Sequence, residues 1–444
     1  MVDPSATIDA VAAVVPSPNQ IPIFEELEGT TPPRRRHLRV QPPLLADLTA
    51  RQRRAVTWGE GPLLVVAGAG TGKTTVLTRR IAWLIAEQRA RPSEILALTF
   101  TERAAAEMQE RVDQLVPYGH ADSVICTFHA FGDRLIREHA LGTGLSDQID
   151  VLSRPEQVTF LREHLDELPL DRYRPLGNPT RFLSVLATHF SRARDEDASP
   201  AEYRSAADRI AARAAADPGD AALAEEAARQ QELAAAYATY ERLLRASDRI
   251  DFGDQVALAL RLLREHPDIA EAELARYRYI LVDEFQDTNH AQFELVKLLA
   301  PAPTGNVTVV GDDDQSIYRF RGAALSNILG FRSAYPKTGR VILTDNFRSP
   351  QPVLDAAYRL IRHNDPDRLE VRERIDKRLK ARGTGKTPGP SAAAPVRGIA
   401  FVTTSDEADG VAEAIAASLA AGRRPGAHAV LVRGNRDADP YLRA

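Results

Sequence analysis

Leu63-Leu64-Val65-Val66-Ala67-Gly68-Ala69-Gly70-Thr71-Gly72-Lys73-Thr74-Thr75 decides the fold. Its opening apolar run, without alternation, predicts a strand buried on both faces, and Val76 to Gln88 carries the apolar spacing of a helix that begins at about Lys73. Between strand and helix, glycines allow backbone N–H groups to curl around an anion, and the helix N-terminus adds partial positive charge. Lys73 can reach outer phosphates, and Thr74 offers a hydroxyl to Mg²⁺. Strand, glycine loop and helix in this order make a P-loop, with Ala67 standing where the strict pattern has its first glycine. Residues Ala67 to Thr75 are therefore the expected phosphate cradle. A second Gly-Thr-Gly-Lys-Thr at 383–387 serves as a control: no strand precedes it, Pro388-Gly389-Pro390 follows it, and it reads as a loop.

Working outward, Ile95 to Thr99 reads as a strand and Glu102 to Leu115 as a helix, which continues a parallel βαβ pattern. Residues 146–249 differ, being rich in Ala, Glu and Arg, with helical spacing in Gln230 to Ala246 and no convincing buried strand, so they form an expected helical insertion. Strand signals resume at Tyr279 to Val282, Val307 to Val310 and Val341 to Leu343, implying one parallel sheet interrupted by helices. Upstream, residues 1–46 are proline-rich, carry the basic run Arg34 to His37 and read as a flexible arm. A further unit, 346–444, is expected to hold a linker loop at Arg382 to Pro390, a strand Gly398 to Thr403, a helix Glu407 to Ala420 and a strand Ala429 to Val432.

Composition narrows the class. The 444 residues carry 57 Lys+Arg against 61 Asp+Glu, a net charge of −4, and 44% are hydrophobic, which suits a globular protein of several domains and excludes disordered and collagen-like classes. With Cys126 as the single cysteine, no intrachain disulfide can form, and a reducing, cytoplasmic compartment is expected. Apolar stretches are too short to span a membrane, and Asp3 and Asp9 occupy the region where a signal peptide would be basic. A near-neutral charge gives no global nucleic-acid footprint, so that reading must come from local residues.

Acidic residues at the end of another buried strand would complete the phosphate site. Tyr279-Ile280-Leu281-Val282-Asp283-Glu284 supplies them: Asp283 can hold the hydration shell of Mg²⁺, and Glu284 can act as general base on an attacking water. On their own, two acids after a strand are as well suited to a turn; the P-loop upstream favours the catalytic reading.

Asp283-Glu284-Phe285-Gln286-Asp287-Thr288-Asn289 resembles the corresponding block of the UvrD/Rep-type superfamily 1 DNA helicases, and further blocks agree in order. Leu48-Thr49-Ala50-Arg51-Gln52 is similar to the family's adenine-sensing Q motif, although Thr49 to Gln52 is also a helix capping box. Leu98-Thr99-Phe100-Thr101-Glu102-Arg103-Ala104-Ala105 resembles motif Ia, with Glu102 in place of a frequent Asn, and Thr127-Phe128-His129-Ala130-Phe131 resembles motif Ib. Asp251-Phe252-Gly253-Asp254 looks like the family's short acidic-aromatic block before the Walker B strand, here Tyr279 to Val282 with Asp283 and Glu284. Gly311-Asp312-Asp313-Asp314-Gln315-Ser316-Ile317-Tyr318-Arg319-Phe320-Arg321 resembles motif III, with Phe320 for a frequent Trp. Thr344-Asp345-Asn346-Phe347-Arg348 resembles motif IV, and Ala429 to Asn435 a strand of the second motor domain.

The resemblance implies a RecA-like P-loop NTPase domain in two pieces, 47–145 and 250–345, around the insertion 146–249, followed by an incomplete second RecA-like domain from 346. It also implies ATP and Mg²⁺ as cofactors, Gln52 at the adenine, Thr74 and Asp283 at the metal, and Lys73, Glu284, Gln315 and Arg348 in catalysis, Arg348 as an arginine finger. Phe100, Thr127, Phe128, His129, Tyr318, Phe320 and Arg321 become the expected DNA contacts, because aromatic faces stack on any base and suit a motor that does not read sequence. Each of these aromatics, taken singly, also fits ordinary core packing. Motifs V and VI of the family are not found in the chain, which reads as the N-terminal part of such an enzyme.

The expected activity is that of an ATP-dependent 3′ to 5′ helicase or translocase on single-stranded DNA and at single/double-strand junctions, in repair or recombination, with repair proteins as partners and no membrane. Two rivals are a non-translocating ATP-binding module and the motor half of a recombination helicase-nuclease.

Overall fold

The computed structural model describes residues 42–116, 123–140, 146, 148–317, 325–382 and 396–444. Residues 1–41 of the expected arm, the second Gly-Thr-Gly-Lys-Thr at 383–387, and Tyr318, Phe320 and Arg321 lie outside them. The strands in chain order are β1 (Leu63–Ala67), β2 (Ile95–Thr99), β3 (Val124–Thr127), β4 (Asp150–Leu152), β5 (Arg249–Asp251), β6 (Tyr279–Val282), β7 (Val307–Gly311), β8 (Gly339–Leu343), β9 (Asp345–Asn346) and β10 (Lys380–Ala381). Six of them form one parallel sheet in the order β3-β2-β6-β7-β1-β8.

β1 lies inside this sheet with Val65 opposite Val310 on one side and Val341 on the other. Successive side chains of a strand point to opposite faces, and both faces of a parallel sheet carry helices, so every position must be apolar. The two faces divide accordingly. Leu64, Val66, Leu96, Leu98, Ile280, Val282, Val307 and Val309 enter one core, and Leu63, Val65, Ala67, Ile95, Ala97, Tyr279, Leu281 and Val310 enter the other. The parallel α/β sheet expected from the apolar runs is the one found, and the helix after β1 spans Lys73–Ala86.

Helices Arg154–Glu163, Leu183–Asp195, Pro200–Ala216 and Ala221–Ala246 make the insertion, with a core in which Phe190 stacks on Tyr237 and Tyr240 at 5.4 and 5.2 Å between ring centres. At its root the insertion departs from the sequence reading, for β4 and β5 pair in parallel over three residues each. Next to them the buried Arg194 guanidinium pairs with Asp251 and Asp254 at the start of helix Phe252–Glu265.

Two other expectations are corrected. The end of the expected arm is ordered: Pro42–Leu45 is a helical turn, Leu44 is buried, and Arg79 donates to the carbonyls of Leu44 and Ala46 at 2.9 and 2.7 Å. After β9 and β10, which pair in parallel, the anticipated strands at 398–403 and 429–432 do not form, whereas the helix between them does, as Thr404–Ala420. A strand requires a neighbour to take its N–H and C=O groups. No strand among the described residues lies beside these segments, and Val402 and Leu431 are 96% and 93% exposed.

Candidate nucleotide site

Parallel strands deliver their C-terminal ends to one edge of the sheet, and here β1, β6 and β7 bring the P-loop, Asp283-Glu284 and Asp312 to Gln315 together. Between them lies a polar cavity of about 670 Å³ whose walls include Gln52, Ala69, Gly70, Gly72, Lys73, Thr74, Thr75, Glu284, Gln315 and Arg348.

The loop between β1 and helix Lys73–Ala86 turns on Gly70 and Gly72, at φ of +76° and +87°. Any larger residue would be strained there and would clash: a Cβ on Gly72 would meet Gln52 Nε2 at 2.8 Å, and one on Gly70 would meet the Arg348 Cβ at 2.6 Å. Other groups pull the loop's carbonyls outward. Gln52 Nε2 donates to Thr71 O at 2.9 Å, Asn346 Nδ2 to Ala69 O at 2.6 Å, and the Phe347 N–H to Gly70 O at 2.8 Å. Thr71 Oγ1 closes the turn by donating to Gly68 O at 2.8 Å.

Lys73 opens the helix, and its ammonium pairs with the Glu284 carboxylate and donates to Gln315 Oε1 at 3.2 Å. Glu284 holds a left-handed backbone at φ +46°, unusual for a residue with a side chain, and Gln286 Nε2 donates to its carboxylate at 2.9 Å. Asp283, directly at the end of β6, accepts the Glu284 N–H at 2.9 Å. Burial and the neighbouring Glu284 push its pKa up to about 6, against the pull of Lys73. Nearby, burial and Glu284 likewise push Asp287 up to about 6, and its Oδ1 is buried without a hydrogen-bond partner among the described residues.

The Thr74 hydroxyl on the cavity wall and the carboxylates of Asp283 and Asp287, which do not line it, are oxygen donors of the kind a small hard cation such as Mg²⁺ takes.

Not every expected site residue reaches the cavity. Ala67 is wholly buried in β1, Thr71 is buried under the loop, and Gly68 faces a neighbouring apolar cavity of about 380 Å³ walled by Val353, Leu354 and Leu379. Gln52 fulfils its structural reading, since Thr49 and Gln52 cap each other reciprocally at 3.0 and 3.2 Å, and it borders the cavity as well. Sequence reasoning missed Arg79, Arg111, Asn346 and Phe347. Arg79 and Arg111 lie inside helices Lys73–Ala86 and Glu102–Asp113, outside every motif quoted above.

The expected DNA contacts separate in space. Phe128 is 2% exposed within the core, and the Thr127 hydroxyl caps the following helix, accepting from Ala130 N at 3.1 Å and donating to Glu102 at 2.7 Å. In this structure core packing engages the Phe128 ring and capping engages the Thr127 hydroxyl. Phe100 is half-buried. His129 is half-buried too, and burial lowers its pKa despite Glu102, which favours the neutral ring at neutral pH. His129 meets Phe252 edge-on at 5.4 Å between ring centres, and Phe252 is 53% exposed. Phe252 belongs to the acidic-aromatic block Asp251 to Asp254 and was not among the expected DNA contacts.

The sheet, the glycine loop and the paired acids define a P-loop nucleotide-binding protein of the RecA-like kind. Comparison with known proteins narrows this further. The sequence model of the UvrD/REP helicase N-terminal domain matches residues 48–336, and the chain belongs to that family. It is 37% identical to the ATP-dependent DNA helicase PcrA of Leuconostoc citreum over 337 residues, which cover 76% of this chain and 41% of that protein. With PcrA of Bacillus subtilis it shares 38% over 323 residues, 72% of this chain and 40% of the relative. With UvrD1 of Mycobacterium leprae, another ATP-dependent DNA helicase, it shares 38% over 334 residues, again 72% and 40%. The chain thus spans about two fifths of the length of the curated relatives it matches. No helix among the described residues is long and apolar enough to cross a membrane.

Proposed function

We propose that this chain carries the ATP site of an ATP-dependent DNA helicase or translocase that moves 3′ to 5′ on single-stranded DNA in repair or recombination. The observation that carries the reading is the placement of the Lys73 ammonium between Glu284 and Gln315 on the wall of the polar cavity. In this arrangement Lys73 and the N–H groups of the loop bind the outer phosphates; Thr74, Asp283 and Asp287 would hold Mg²⁺, which would offset phosphate charge. Glu284 takes the proton of the attacking water, Gln315 contacts the terminal phosphate, and Arg348 on the cavity wall stabilises charge developing on the transferred group. Gln52 faces the adenine side. Single-stranded DNA is held by Phe100, His129 and Phe252 together with Tyr318, Phe320 and Arg321.

The test is Mg²⁺-dependent ATP hydrolysis by the chain with and without single-stranded DNA, with Lys73→Ala as the blank. Hydrolysis that DNA stimulates supports the motor. Nucleotide binding without stimulation would favour the non-translocating module instead, and absence of nucleotide binding would remove the site.

A further inference from the structure

Asp312, Asp313 and Asp314 place three consecutive carboxylates just past β7, next to the cavity where a triphosphate would bring negative charge of its own. They are clamped by cations from the segment between β9 and β10. The Lys377 side chain, 5% exposed, pairs with Asp313 and stands 2.6 Å from Asp312 Oδ1 and 2.9 Å from Asp314 Oδ2. Arg368 grips Asp314 with two N–H groups, each at 2.7 Å, and the Leu369 N–H donates to Asp313 Oδ2 at 2.7 Å. Burial alone would discharge Lys377, yet the three carboxylates hold its pKa above the usual value.

The second oxygen of Asp312 has a different partner. Oδ2 accepts from Gln315 Nε2 at 2.7 Å, and Gln315 Oε1 in turn accepts from Lys73 at 3.2 Å. An unbroken polar chain, Lys377 to Asp312 to Gln315 to Lys73, therefore links the segment between β9 and β10 to the P-loop. A glutamine amide has two orientations of similar shape, and a carboxylate that accepts from its nitrogen selects one. The remaining N–H on that nitrogen is then left for a phosphate oxygen.

We infer that Lys377 is a positioning residue for Gln315: by gripping one oxygen of Asp312 it fixes the other toward the amide, so that Gln315 distinguishes a nucleoside triphosphate from a diphosphate. This rests on the nucleotide-site reading above.

The experiment measures the affinity of the chain, with Mg²⁺, for a fluorescent β,γ-imido ATP analogue and for fluorescent ADP, and takes their ratio. Lys377→Met is expected to lower that ratio about tenfold, the size of one lost hydrogen bond to a charged group, down to the ratio of Gln315→Ala, with ADP affinity unchanged. If Lys377→Met does not fold, Lys377→Met with Asp313→Asn keeps the net charge of the cluster and should show the same loss. A ratio like that of the wild type in the variant that folds would overturn the inference and leave Lys377 as a tie between segments. So would a wild type that binds both nucleotides alike, or a Gln315→Ala that keeps the ratio. A wild type that binds neither nucleotide removes the site reading itself, a result distinct from these.

Discussion

At the scale of single residues, the site concentrates charge that the fold holds in place for chemistry. Lys73 and Glu284 pair directly, so removing either takes the opposite charge from the other. Lys73→Ala is expected to bring ATP hydrolysis to background. Glu284→Gln should keep nucleotide affinity while turnover falls by roughly 10²–10⁴, the usual worth of a positioned general base; equal turnover in a phosphate-release assay would take that role from Glu284. A pH effect is expected away from the site. Burial raises the Asp195 pKa from 3.8 to about 7, against the Asn289 amide that donates to it at 2.7 Å. A carboxyl raised in the folded state binds its proton more tightly there than in the unfolded chain, so its contribution to stability is full below pH 4 and is lost as pH climbs through 7. Asp195→Asn should therefore exceed the wild type in urea unfolding at pH 8, with the advantage vanishing toward pH 4.

At the scale of elements, five of the six strands of the main sheet were legible because burial on both faces makes them mostly Val, Ile, Leu and Ala, and that run is visible without a structure; β3, half-buried at the sheet's edge, was not read as a strand. The P-loop was legible for the same local reason, since glycine positions and a following helix are dictated by the turn itself. What the sequence did not show depends on distant neighbours. Val402 and Leu431 sit in short apolar runs that read like strands, yet no strand among the described residues lies beside them. β4 and β5 were invisible because three residues carry no period. Phe128 and Phe252 sit in similar aromatic blocks, but only their packing shows that the first is covered and the second open. Capping is the local signal most open to measurement: Thr49→Ala should destabilise by about 0.5–2 kcal/mol in urea unfolding, with Thr49→Ser restoring most of it, because the hydroxyl accepts the Gln52 N–H.

For the whole molecule, two junctions between parts carry polar ties. The helical insertion is joined to the sheet body through the buried Arg194, and Arg194→Ala, which strands Asp251 and Asp254 without their cation, should cost about 3–5 kcal/mol in the same assay. The other junction is shorter still. β8 ends at Leu343, β9 begins at Asp345, and Thr344 alone lies between, with Arg51 donating to its hydroxyl and Lys380 N–H to its carbonyl at 2.8 Å. A one-residue coupling has no slack: β8 cannot slide without dragging β9, and β1 with its phosphate loop is hydrogen-bonded to β8 along its length. So short a joint leaves little backlash, and a single glycine inserted after Thr344 is expected to add play between β8 and β9.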